Sequence, residues 1–205
     1  MTPAVRHPAR EARRLRVPFA AAFGLWLCAQ AAMAGARPPP AQPLQNGVNR
    51  VALLAGAPAG MAVLAHRENF NAHGFDVLTI YQPMPSARGE PASWQIVPAF
   101  DAQGEHLTLA ASGGADCLLR DFRLLQPVGR SGATLIIAER ALGDSYASPA
   151  PVTFRFYRLQ RNDAGEVGRP GLYFEFDHEQ TSAQPHCDVG EAFDHELGLK
   201  DYRRK

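Results

Sequence analysis

Alternation of apolar and polar residues dominates the chain after residue 60 and predicts β-strands. The clearest cases are residues 152–161 and 172–181, which follow a period of two. In the second run, Phe174 and Phe176 fall on one face of the strand, while Glu175 and Asp177 fall on the other. Similar runs predict strands at residues 61–68, 75–81, 94–100, 106–110, 117–126 and 133–140.

One short helix is predicted near the carboxyl end. Asp188 is a suitable capping residue, Phe193 and Leu197 lie four residues apart on one helical face, and Gly198 ends the pattern. No other long helical period occurs. The predicted fold is therefore mainly β, an antiparallel sandwich or open barrel of about eight to nine strands with a short C-terminal helix.

The first 34 residues have the pattern of a cleavable signal peptide. Five arginines precede the apolar residues 17–32, and Ala32-Met33-Ala34 is a small-x-small cleavage motif. An uncleaved membrane anchor is the alternative, but this apolar run is shorter than the roughly 20 residues that a spanning helix needs. We predict cleavage between Ala34 and Gly35, a periplasmic or secreted protein, and no stable membrane anchor after cleavage.

Composition divides the remaining chain into two parts. Residues 35–46 are rich in proline, which predicts a flexible, exposed leader, and residues 47–205 are predicted to form a single β-rich domain. Without residues 1–34, 16 basic and 19 acidic residues remain, so the net charge of +1 becomes −3. This balance disfavours a nucleic-acid partner, which would require a basic patch.

Two cysteines, Cys117 and Cys187, remain after cleavage. In an oxidising compartment they most simply form an intramolecular disulfide. Unpaired thiols or an intermolecular bridge are the alternatives.

Polar groups are densest between the predicted strands 61–68 and 75–81. We take as candidate binding residues those in this stretch with functional side chains: Arg67, Glu68, Asn69, Asn71, His73 and Asp76. His73 could act as a general base oriented by Asp76, but no nucleophile accompanies it. The alternative is a polar loop whose side chains bond its own backbone, and this stretch then belongs to a recognition surface rather than to a catalytic one.

Two other clusters are interpreted as structural. Asp, Glu and His residues recur between residues 177 and 196, but their spacing matches no zinc signature, so no metal site is predicted and no cofactor is implied. Four strand arginines are predicted to form the solvated face of a sheet: Arg120, Arg123, Arg155 and Arg158.

Residues 67–77, followed by Trp94-Gln95-Ile96-Val97-Pro98, resemble the CarG-like carbapenem self-resistance proteins, a group of small exported bacterial proteins. Asp116-Cys117 ahead of an apolar strand adds to the likeness. The resemblance covers about residues 47 to 126 and implies a periplasmic protein associated with protection against carbapenem antibiotics. It transfers no catalytic residues, and the chain lacks the S-x-x-K, S-D-N and K-T-G motifs of serine β-lactamases.

The favoured function is an exported non-enzymatic binding or protective protein, and the resemblance implies that it acts without hydrolysing the drug. An inhibitor of an exported enzyme such as lysozyme is the first alternative, because a small disulfide-bonded β domain can insert a loop into an active site. A hydrolase of unknown specificity is the second. The partner is predicted to be a periplasmic protein or a small molecule.

Overall fold

A computed structural model describes residues 38–71, 73–85, 93–114 and 116–200. These residues form eleven strands and one helix. In chain order the elements are β1 (Gly47–Val51), β2 (Gly60–Arg67), β3 (Phe75–Pro83), β4 (Trp94–Ile96), β5 (Ala99–Asp101), β6 (Gly104–His106), β7 (Leu109–Gly113), β8 (Leu118–Leu125), β9 (Thr134–Arg140), β10 (Val152–Arg161), β11 (Leu172–Thr181) and α1 (Val189–Leu197).

The strands form one connected sheet in the order β1-β2-β3-β7-β8-β9-β10-β11-β5-β6, and β4 pairs with β3. The prediction of a mainly β, mostly antiparallel fold with a short C-terminal helix is confirmed. Three details differ from the prediction. The described residues hold eleven strands rather than eight or nine, and the pair β11–β5 is parallel. The strands also belong to a single sheet rather than to the two separate sheets of a sandwich.

The predicted strand 94–100 is divided in two at Val97 and Pro98. The Val97 amide still bonds to the Ile80 carbonyl on β3 at 2.8 Å, whereas the Pro98 carbonyl accepts from Phe174 N on β11 at 2.8 Å. Because proline has no amide hydrogen, the ladder with β3 cannot continue through residue 98. The chain therefore changes partner from β3 to β11 at this point, which links distant parts of the sheet.

Apolar side chains are buried on both faces of the sheet. One face forms the larger core and includes Leu64, Leu78, Leu135, Tyr157 and Phe174. We call it the inner face. The opposite face of β8, β9 and β10 is covered by α1 and forms the second core, whose members include Ile136, Ala138, Val152, Phe154 and Phe193.

The helix α1 begins and ends as the sequence predicts. Asp188 precedes it, and its carboxylate accepts a hydrogen bond from Gly190 N at 2.7 Å. At the other end Gly198 adopts a left-handed conformation with φ 65°, and its amide donates to the Asp194 carbonyl at 2.9 Å. These are the two ordinary solutions for the unpaired backbone groups at helix ends.

Part of the proline-rich segment is packed rather than exposed. Ala41 and Leu44 are buried, and the Gln42 amide donates to the Leu124 carbonyl of β8 at 2.7 Å. The Gln42 side chain also bonds the backbone of Ala52. Residues 41–44 therefore belong to the folded unit, because their polar groups find partners there, and the predicted exposed leader does not include them. The predicted signal peptide and its cleavage site lie outside the described residues.

Cys117 and Cys187 form the predicted intramolecular disulfide, at a sequence separation of 70. The bridge connects the segment before β8 to the residue before the cap of α1. A stable disulfide is typical of proteins in oxidising compartments, which agrees with the predicted export. The described residues contain no helix with the length and apolar character needed to cross a bilayer.

Candidate binding site

The six candidate binding residues lie together at one end of the sheet. Arg67 ends β2, Asp76 is the second residue of β3, and the other four residues lie in the connection between these strands. We call residues 67–76 the β2–β3 loop. The hairpin register places Arg67 opposite Phe75, so the two strands bring the ends of the loop together.

Glu68 organises the start of the loop. Its carboxylate oxygen Oε1 accepts hydrogen bonds from the backbone amides of Asn69 at 2.7 Å and Phe70 at 2.6 Å. These bonds to the charged form lower the pKa of Glu68 from its ordinary value. The carboxylate is therefore ionised at neutral pH and occupied by the backbone, which makes it a structural group rather than a proton donor.

The two asparagines also bond the loop to itself. Asn69 Nδ2 donates to the His73 carbonyl at 3.1 Å, and Asn71 Oδ1 accepts from His73 N at 2.8 Å. Each bond fixes the backbone conformation of the segment between its partners. This is the alternative that the sequence left open for these residues, a loop held by its own polar side chains.

Asp76 orients a different histidine from the one that the sequence suggested. His66 Nδ1 lies 2.8 Å from Asp76 Oδ1, and His73 Nδ1 lies 3.3 Å from the Gly113 carbonyl of β7. His66 was not among the six candidates. The signal that identifies it is the hairpin register, because His66 and Asp76 are directly opposite on β2 and β3. The hydrogen bond to Asp76 is the main cause of a raised pKa at His66.

Phe70 is the most prominent apolar group of the loop. Its side chain is 96% exposed, and its φ of 55° lies in the left-handed region. A bulky residue in that region carries backbone strain, and such strain is concentrated at functional sites. Phe70 is not among the six candidates, because these were chosen for their polar side chains. The sequence around Phe70 does not predict that its backbone adopts a positive φ.

A second loop, residues 141–151 between β9 and β10, lies beside the β2–β3 loop. The ring of Tyr146, which is half exposed, lies 5.8 Å from the ring of His73. Arg140 holds this second loop, since its buried guanidinium donates to the carbonyls of Ser145 at 3.1 Å and Ser148 at 2.7 Å. The neighbouring surface is thus fixed by buried hydrogen bonds.

The acidic C-terminal cluster serves the fold. His186 Nε2 lies 3.0 Å from Glu196 Oε1, and the hydrogen bond from His186 is the main cause of a lowered pKa at Glu196. Asp188 caps α1 and also accepts from Leu118 N at 2.8 Å. Among the described residues no three His, Cys, Asp or Glu side chains are grouped closely enough to hold a metal ion.

A separate groove lies at the opposite end of β3. It has a volume of about 580 Å³, and Gln82, Met84, Gln95 and Leu172 are among its lining residues. None of the six candidates lines it. The groove and the β2–β3 loop are therefore different surfaces.

Comparison with known proteins gives one informative result. The chain is similar to the structure described as "Crystal structure of CarG", with a TM-score of 0.62 and 22% sequence identity. The match covers 76% of this chain and 94% of the CarG chain. No protein-family model and no curated protein sequence matches the chain. At this identity the similarity shows that the chain has the fold of CarG.

Proposed function

We propose that this chain is an exported protective protein that acts by binding, in the manner implied by its resemblance to the carbapenem self-resistance proteins. The observation that carries the proposal is the shared fold, which extends over 94% of the CarG chain. The disulfide between Cys117 and Cys187 adds support for a function outside the cytoplasm.

The chemistry of the β2–β3 loop supports binding over catalysis. The Glu68 carboxylate is engaged by two backbone amides, and His73 contacts a carbonyl oxygen rather than a carboxylate. No serine, threonine, cysteine or lysine occurs in the loop to act as a nucleophile. A loop that is held by its own hydrogen bonds and presents an exposed Phe70 is suited to recognition, because little entropy is lost when it binds.

Carbapenem susceptibility tests the protective role. The full chain is expressed in a susceptible Gram-negative host, beside a version without residues 1–34 and a Phe70→Ala variant. We expect a raised inhibitory concentration with the full chain, none with the version that is not exported, and a reduced effect with the variant. Folded protein in the periplasm without any change in susceptibility would overturn the proposal.

Loss of the drug from the medium separates protection from hydrolysis. We expect the drug concentration to stay equal to that in a culture without the protein. Drug loss that requires the exported protein would instead establish the hydrolase alternative.

A second candidate function is inhibition of an exported enzyme. The observation that favours it is Phe70, which is 96% exposed on a loop held by its own bonds. Aromatic side chains that enter a partner's pocket contribute strongly to protein interfaces. The purified protein is tested for inhibition of lysozyme, with Phe70→Ala as the control. Full lysozyme activity at a large excess of the protein would exclude that target.

A further inference from the structure

A second polar feature lies beside the β2–β3 loop, at the same end of the sheet. It is a cleft of about 530 Å³, within the range of small-molecule sites. Ser112 of β7 is one of its lining residues and pairs with Phe75 of β3, so the cleft begins where the loop ends. None of the six candidate residues lines it.

The central side chains of the cleft come from three adjacent strands. The register aligns Arg120 of β8 with Glu139 of β9 and Glu139 with Thr153 of β10, and Arg155 lies two residues farther along β10. All four residues line the cleft. Because side chains alternate along a strand, these positions continue the inner face that Phe122 and Ile137 occupy in the core. The cleft is thus the polar end of the inner face.

Arg155 and Arg120 differ in their partners. Arg155 Nη1 lies 3.2 Å from Glu139 Oε2, and Arg155 Nε lies 3.6 Å from Glu179 Oε2. Arg120 is partly buried, its Nε atom is buried without a hydrogen-bond acceptor, and no carboxylate of the described residues pairs with it. The Nε atom is shielded from the cleft, so a ligand would meet the terminal Nη atoms of Arg120, for which the described residues supply no acceptor.

The charge balance of the cleft favours an anion. On the inner face the lining residues include two arginines, Arg120 and Arg155, against one glutamate, Glu139. Arg140 also borders the cleft, but it follows Glu139 on β9 and its side chain lies on the opposite face, where its guanidinium donates to the Ser148 and Cys187 carbonyls. The positive charges of Arg155 and Arg120 oppose the rise in the pKa of the buried Tyr157 hydroxyl, a rise that is caused mainly by burial.

We propose that this cleft binds the carboxylate group of a small organic anion, with the Arg120 guanidinium as its principal contact. A guanidinium presents donors in a planar fork that matches the two oxygens of a carboxylate. Thr153 and Ser112 add hydroxyl groups at the cleft wall. The proposal does not rest on the protective function, since the cleft, its charges and the unpaired donor are independent of any antibiotic.

Titration of the purified exported protein with benzoate, followed by NMR of its backbone amides, tests the proposal. Benzamide is the uncharged control of the same shape, and inorganic phosphate is the anion control. We expect saturable shifts at Ser112, Arg120 and Thr153 with benzoate, and weaker or no shifts with the two controls. Absence of shifts at these positions, or equal binding of benzamide or phosphate, would overturn the assignment.

Three variants make the test specific. Arg120→Gln should weaken benzoate binding by about tenfold or more, the loss expected for a charged hydrogen bond. Arg158→Gln is the matched control, because Arg158 pairs with Asp177 and does not line the cleft. Glu139→Gln should tighten binding, since it removes the carboxylate that competes for Arg155. Unchanged affinity in folded Arg120→Gln, or weaker binding in Glu139→Gln, would contradict the proposal.

Discussion

Removal of the disulfide between Cys117 and Cys187 should lower stability through its effect on the unfolded chain. The bridge closes a loop of 70 residues, which corresponds to about 4 kcal/mol of stabilisation in the chain-entropy treatment. In a domain of this size, that loss lowers the melting temperature by roughly 10 °C. The double variant Cys117→Ala/Cys187→Ala avoids an unpaired thiol and is the appropriate perturbation.

The native contacts around the bridge should survive this substitution. Leu118 N still donates to Asp188 Oδ2 at 2.8 Å, and the Cys187 carbonyl still accepts from Arg140 Nη1 at 3.1 Å. The junction between β8 and α1 is therefore held without the covalent bond. We expect native circular dichroism at low temperature and a lower melting temperature.

Differential scanning calorimetry of the wild type and the double variant, each with and without reductant, is the assay. Reductant should lower the melting temperature of the wild type toward that of the variant and leave the variant unchanged. Equal melting temperatures for the oxidised wild type and the variant would refute the reasoning. So would a reductant effect on the variant, which has neither of these two thiols.

Three further predictions concern single side chains. Asp188→Ala should reduce the free energy of unfolding by about 1–2 kcal/mol, because it removes the cap of α1 and the hydrogen bond from Leu118 N. Asp188→Asn should retain most of the wild-type stability, because the asparagine side chain can still cap the helix. Urea denaturation measures the stability of both variants. NMR titration should give His66 a higher pKa in the folded protein than in the unfolded chain, and Asp76→Asn should remove this rise. The stabilisation by the His66–Asp76 contact is then present below the unfolded pKa and is lost as the pH rises through the folded pKa. A titration midpoint of His66 that is the same in the Asp76→Asn variant would contradict the prediction. Phe70→Gly should be more stable than Phe70→Ala by about 1 kcal/mol because glycine accepts the positive φ, and equal stabilities would show that position 70 carries no strain.

The strands with regular alternation could be predicted from the sequence, and the irregular ones could not. β10 and β11 have the predicted bounds, Val152–Arg161 and Leu172–Thr181. β1 is not predicted by alternation, because Gly47–Val51 is short and has no clear apolar face. The parallel pairing of β11 with β5 depends on the contact between residues 174 and 99. Local alternation carries no information about such a partner.

The arginines show why alternation alone does not decide exposure. All four strand arginines were predicted to be solvated, and Arg158 is indeed exposed, with 67% of its side chain accessible. Arg123 is instead buried beside Asp121, with its guanidinium 4.4 Å from the centre of the Phe193 ring. The helix α1 covers that face of β8, and a strand sequence does not reveal what will cover it.

The sequence predicts that residues 67–76 lie between two neighbouring strands, but it does not predict which of their side chains contact each other. Residues 67–76 lie together because β2 and β3 form a hairpin, and this follows from their alternation. The partner of Asp76 is His66 rather than His73, because residues 66 and 76 are opposite in the register. Register depends on how many residues the connection contains and on the turn it adopts, and neither was predicted.

The topology explains why the β2–β3 loop and the cleft that Arg120 lines are found at the same end of the sheet. Neighbouring antiparallel strands run in opposite directions. The last residues of β2 and β7 therefore lie at the same end of the sheet as the first residues of β3 and β8. His73 contacts the Gly113 carbonyl, and the adjacent Ser112 lines the cleft. Phe70 and Arg120 therefore belong to neighbouring parts of the same end of the sheet, although their sequence positions differ by 50. A substitution of Phe70 removes an apolar contact, whereas a substitution of Arg120 removes a positive charge. Comparing the two variants therefore shows which part of this end of the sheet a given partner contacts.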